Sequence, residues 1–200
     1  MKPVRFLGDS LQCLRDFPED ARHDAGYQLD KVQRGEQPDD FKSMPAAGKG
    51  VEEIRVTRKR RLPRNLRGPA RRSRLRIACF PEEDTSDFET GPGYRPQALY
   101  ASLGRWEMKK PESYASVWDA IADTPSDAAN LRARAELMRQ IAALVKKRRW
   151  TQVEAAHHCG VTQPRINDLL RGRVSRFSLD ALVNISTSLG CRVRIDLEAA

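Results

Sequence analysis

Gln163, Arg165, Asn167 and Asp168 fall within one six-residue stretch, with Pro164 between them. Gln and Asn side chains can pair in bidentate fashion with adenine, and Arg with guanine, so the stretch has the chemistry of a base-edge reader. Such residues act only if an element carries them into a groove. The surrounding sequence Thr151–Arg171, TQVEAAHHCGVTQPRINDLLR, supplies one. Counting from Gln152, the small Ala156 falls fifth and Gly160 ninth, and Val161, Ile166 and Leu169 follow at the spacing that closes a two-helix core. Helices meeting at a steep angle need a small residue at the crossing, and the turn favours glycine, which takes positive φ without a steric penalty. Thr151 and Thr162 are each placed to cap the helix that follows. The spacing therefore predicts a helix-turn-helix. Its second helix lies in the major groove and turns Gln163, Pro164, Arg165, Asn167 and Asp168 outward to bases. Gln152, Thr162, Arg171, Arg173 and Arg176 are expected to hold phosphates, which fixes register without specifying sequence.

The chain has 200 residues, and its 36 Lys and Arg outnumber 27 Asp and Glu for a net charge of +9, which favours a polyanionic partner. No signal-peptide pattern and no bilayer-length apolar run is present, so a cytoplasmic protein without a membrane partner is expected. Cys13, Cys79, Cys159 and Cys191 form no CxxC pair, which argues against zinc and against a disulfide framework. His157, His158 and Cys159 are consecutive on a helix and point in different directions, so no metal and no cofactor is expected there.

Three segments differ in style. In 1–56, Val4–Leu7 and Val51–Val56 read as strands, Asp9 or Ser10 caps a helix through Phe17, and Pro18–Arg34 reads as a helix ended by Gly35. In 57–107, a run with ten Arg or Lys between Arg58 and Arg76 is followed by acidic residues and GPGYRP; no periodicity is evident, and disorder is expected. From Met108, Ser116 caps VWDAIAD, and Thr124 with Pro125 opens a long helix through Arg149. Ser178 caps a further helix that Gly190 stops. Cys191–Leu197 alternates apolar and polar residues as a half-buried strand, which needs a partner such as a second copy. The fold class expected is mostly α, a lambda-repressor-like helix-turn-helix domain with a C-terminal strand, preceded by an incomplete α+β fragment.

Two resemblances carry function. SVWDAIADTPSDAANLRARAELM, the motif TQVEAAHHCGVTQPRINDLLRG and the closing strand resemble an Xre-type antitoxin of a host-inhibition-of-growth toxin–antitoxin module, over nearly all of 108–200. VRFLGDSLQCLRDFP through KGVEEIRV resembles the first half of the partner toxin, a RelE-like ribonuclease. The antitoxin resemblance implies an autorepressor that binds a palindromic operator as a homodimer, its recognition helices about 34 Å apart. It also implies neutralisation of a RelE-like toxin, with the segment around Tyr114–Ile121 as the contact, although Trp118 there reads equally as a core residue of the domain itself. The toxin resemblance places Lys49 and Arg55 where that family carries catalytic basic residues. The remaining catalytic residues would lie in a missing second half. A catalytic set removed in part loses most of its rate, so no enzyme activity is expected. Without the rest of the sheet, the apolar faces of the two N-terminal helices are expected to have nothing to pack on.

The genetic code suggests where the missing half went. Read from each second nucleotide, Leu75–Glu89 permits YVLHAFQKKTQATSK, and the stretch before it permits GAYRVIYVAR; both look like the absent strands and tail. Degenerate codons permit other readings, but Met108–Lys109 must be ATGAAR, whose shifted frame opens on TGA, a stop. We infer a frameshift close to codon 57 that joined toxin and antitoxin; an error in sequencing the gene would leave the same trace. The alternative is a basic segment selected to bind nucleic acid. An independent nucleotide sequence of the region in which the shifted frame is meaningless would favour that alternative.

Overall fold

The structure, a computed structural model, describes residues 1–6, 8–44, 52–56, 78–79 and 112–194. The basic run Arg58–Arg76, Lys49 and Ile195–Leu197 lie outside the described residues. The N-terminal part is β1 (Val4–Phe6), α1 (Ser10–Arg15), α2 (Glu19–Gln33), β2 (Phe41–Ser43) and β3 (Glu52–Ile54). Strand β4 (Ala78–Cys79) pairs antiparallel with β3, inside the segment expected to lack ordered elements. An edge strand offers unpaired backbone groups that a short extended segment can satisfy. A further strand not expected from the sequence, β5 (Glu112–Tyr114), pairs antiparallel with β1. The N-terminal part and the segment that opens the C-terminal part thus share a sheet.

Five helices follow. They are α3 (Val117–Ile121), α4 (Pro125–Lys147), α5 (Gln152–His158), α6 (Gln163–Leu170) and α7 (Leu179–Ser188), with a 3-10 turn Val174–Arg176 before α7. Their starts follow local chemistry. Ser116 accepts from the Trp118 amide, Thr124 from the Asp127 amide and Ser178 from the Ala181 amide, each satisfying an orphan N–H. Pro125 sits in the first turn of α4, where a missing N–H costs nothing. Leu131, Ala135, Met138, Ile141 and Val145 recur at helical spacing and form its buried stripe.

The C-terminal strand is not formed over Cys191–Arg194, which is irregular. Instead the Cys191 amide donates to the Ser186 carbonyl and the Gly190 amide to Thr187, closing α7 in a Schellman-type cap. A strand needs a partner for its backbone, and among the described residues no strand pairs with Cys191–Arg194.

The N-terminal helices do find a surface. Buried side chains from Phe6 to Leu189 form one core cluster that runs through both parts of the chain. Helix α2 lies against α3, where Gly26 permits the approach. A Cβ at Gly26 would run into Ile121 Cδ1 and come within 3.0 Å of Trp118 Cζ3. Glycine costs a helix interior about 1 kcal/mol against alanine, and here that cost lets a fully buried indole pack on backbone. The Trp118 indole N–H donates to Asp30 at 3.2 Å, and Arg34 donates to the other Asp30 oxygen at 2.9 Å. Gln33 accepts from the Val117 amide and donates to the Lys2 and Ala115 carbonyls. At the far end, Arg34 and Arg139 both pair with Glu136, and Arg139 also reaches Glu36. The expectation that the α2 face would stand uncovered is corrected: α3, α4 and the turn after α6 cover it.

Candidate nucleic-acid interface

Helices α5 and α6 are built as their residue types require. Thr151 accepts from the Glu154 amide at 3.3 Å, and the Glu154 carboxylate takes the Thr151 amide at 2.7 Å, a complete capping box. That backbone hydrogen bond holds the exposed Glu154 carboxyl below its usual range. Ala156 is buried at the helix crossing, and Ile166 and Leu169 are fully buried beneath it. Gly160 has φ of 65° in the turn, and the Val161 amide closes onto the Ala156 carbonyl at 3.0 Å. Val161 is half-buried at the edge of this core. Thr162 takes the cap position of α6 in extended conformation, but its hydroxyl makes no cap hydrogen bond. Its carbonyl accepts from the Arg165 and Ile166 amides instead. The exposed hydroxyl therefore stays available to a ligand.

The outward residues do not stand alike. Gln163, Pro164, Gln152, Thr162 and Arg171 are exposed, whereas Arg165, Asn167 and Asp168 are half-buried. The Arg165 guanidinium lies 4.4 Å from the centre of the buried Phe177 ring. A cation over an aromatic face gains about 0.5–2 kcal/mol, so Arg165 is held rather than free in solvent. Asp168 is engaged by two arginines, Arg173 at 3.3 Å and Arg176 at 2.6 Å. The structure thus gathers Thr162, Gln163, Pro164 and Arg165 at the start of α6. It places Asp168, Arg171, Arg173 and Arg176 at the other end of that helix and in the turn beyond.

That turn carries contacts that motif spacing did not reveal. The Tyr27 ring lies on Gly172, where a Cβ would fall inside the ring and where φ is 67°. His23 and Ser175 share a hydrogen bond of 2.8 Å, and burial lowers the His23 pKa. Arg134 donates to the Phe177 carbonyl at 3.2 Å. The turn after the expected recognition helix is therefore pinned by α2, 150 residues away in sequence (His23 to Ser175 spans 152). The glycine at 172 was the available signal that something approaches the backbone there. Elsewhere, His158 stacks on Trp150 at 4.0 Å and meets the His157 ring edge-on at 5.8 Å, while Cys159 is buried. Of the vestigial catalytic candidates, Arg55 lies 3.8 Å from Glu53, and Lys49 lies outside the described residues.

With this geometry in place, the comparisons agree with it. Residues 120–198 match the family model of a helix-turn-helix domain. No curated protein matches the chain. The C-terminal region is therefore similar to helix-turn-helix domains in sequence as well as in geometry. Among the described residues, no helix is long and apolar enough to cross a membrane.

Asp24 gives the packed turn a pH dependence. Burial pushes its carboxyl up to about 6 against the pull of Arg173; Asp20 and Asp168 add to the rise, and Arg176 opposes it. The folded value exceeds the ordinary 3.8, so folding favours the protonated form. That contribution is present at pH values below the ordinary value and is lost as pH rises through about 6. Asp24→Asn keeps the shape without the charge. We predict that it raises Tm at pH 7.5 by about 2–4 °C and by much less at pH 4. Equal shifts at the two pH values, read from thermal scans, would contradict this.

Proposed function

We propose that the chain is a sequence-specific transcriptional regulator of antitoxin type that represses its own operon, binding a palindromic operator as a dimer in the cytoplasm. The observation that carries this reading is the exposed start of α6, Thr162–Gln163–Pro164, presented by an intact helix-turn-helix core. In this reading Gln163, Arg165 and Asn167 read base edges. The stack on Phe177 presents Arg165 with its planar fork already oriented, which reduces the entropy lost on pairing with a guanine. Phosphate contacts from Gln152, Thr162 and Arg171 set the register.

A second reading, neutralisation of a RelE-like toxin by contact, is favoured by one observation. The segment Tyr114–Ile121 takes a partner here, the chain's own N-terminal part, through β1 on β5 and α2 on Trp118. On this view residues 1–56 are a RelE-like remnant that occupies in cis the surface an intact toxin would use, joined by a frameshifted segment over 57–107. Co-purification of the full chain with an intact RelE-like toxin would show that the surface can still be taken in trans.

Two outcomes test the proposal. The operator is first selected from a random duplex library with the full chain. Arg165→Ala should then cost about 1–3 kcal/mol at that site and far less on scrambled DNA, read by fluorescence anisotropy. Equal losses on both would remove its base-reading role. We also propose that the chain is not a ribonuclease, so inducing it should leave growth unaffected. Growth arrest that disappears in Lys49→Ala would overturn this.

A further inference from the structure

Sequence spacing puts Arg173 and Arg176 in one class, yet their surroundings separate them. Each Asp168 oxygen takes one guanidinium, Oδ1 that of Arg173 and Oδ2 that of Arg176. The Arg173 side chain is only 14% exposed and Asp168 17%, whereas Arg176 is 52% exposed. Helix α2 shuts Arg173 in: Tyr27 covers Gly172 on one side, and His23 holds Ser175 on the other. Arg176 is tied to Asp168 through Nη1 and is otherwise open to solvent.

Resting on the DNA-binding reading, we propose that Asp168 is a positioning residue and not a base reader: it pins Arg173 in place and holds Arg176 in reserve, and DNA binding transfers Arg176 from Asp168 to a phosphate. A carboxylate that reads cytosine must offer an oxygen to the base amine, and the charge of Asp168 is already shared between two arginines, with only 17% of its side chain exposed. The Arg176 pair is half in solvent, and such pairs contribute about 1 kcal/mol or less. A phosphate contact releases condensed counterions, so the exchange lies close to balance and the charge on Asp168 tilts it. Arg173 cannot make the same exchange without opening the seam with α2. It is a structural cation whose role is to keep Asp168 oriented.

The test is anisotropy titration of a short random-sequence duplex with the full-length chain across a salt series. The proteins are wild type, Asp168→Asn, Arg176→Gln and the double variant. Asp168→Asn should tighten random-duplex binding about threefold to fivefold at moderate salt, because Arg176 no longer has to leave a carboxylate. Arg176→Gln should flatten the slope of log K against log salt by about one, and in that background Asp168→Asn should gain nothing. A fold-only role for Asp168 would not produce a gain that depends on Arg176. Unchanged random-duplex affinity in Asp168→Asn, or a gain that persists in the double variant, overturns the proposal. If Asp168→Asn loses its helical circular dichroism, Arg176→Gln decides alone: a flatter slope supports the exchange, and an unchanged slope overturns it. Failure of the underlying reading looks different, since the wild-type chain would then bind no duplex even at low salt.

Discussion

Trp118 is the hinge of the architecture. Its indole is fully buried, so its N–H must find an acceptor inside the protein, and Asp30 of α2 is that acceptor. Asp30 is itself buried and would be an uncompensated charge without Arg34. Arg34 in turn leans on Glu136 of α4. Removing one member leaves a buried polar group or charge without its partner, which costs more than the net worth of the bond. This chain fixes α2 along α3 and α4, and the position of α2 then places Tyr27 and His23 on the turn after α6. The N-terminal part is thus scaffold for α6 and the turn beyond it.

Function and fold meet at Gly172–Phe177. The first residues of α6 are open, with Gln163 and Pro164 in solvent, whereas its far end is tied down by the pairing of Asp168 with Arg173 and Arg176. A recognition helix anchored at one end and open at the other loses little freedom when it binds, and this lowers the ordering cost of association. The polar residues of α6 therefore divide by position: Thr162 and Gln163 are open to solvent, and Asp168 holds the element to the turn that follows.

Much of this could be read from residue types whose effect is local. Thr124, Thr151 and Ser178 cap the helices they precede, Gly160 and Gly190 take positive φ, and Ala156 sits at the crossing. These depend on a few neighbouring residues. The seam between α2 and Trp118 does not, because an amphipathic helix declares that it has an apolar face and not what covers it. The pairing of β1 with β5 joins Val4 to Tyr114, and strands so short carry no register pattern. Alternation in Cys191–Leu197 marked a strand, but pairing decides whether a strand forms. For Asp168, helical periodicity gave an outward direction, whereas the side chain is 17% exposed. It could not show that the chain folds back after Gly172 and brings two arginines onto the carboxylate.

The central claim is that α2 and the helix-turn-helix are one cooperatively packed unit. Native-state hydrogen exchange on the full-length chain tests it most directly. The account predicts that the amides of Ala25–Leu29 in α2 and of Ile166–Leu169 in α6 open with the same free energy, as one body. Fast exchange throughout α2 beside a protected α6 would contradict it. The helix-turn-helix would then stand without the N-terminal scaffold.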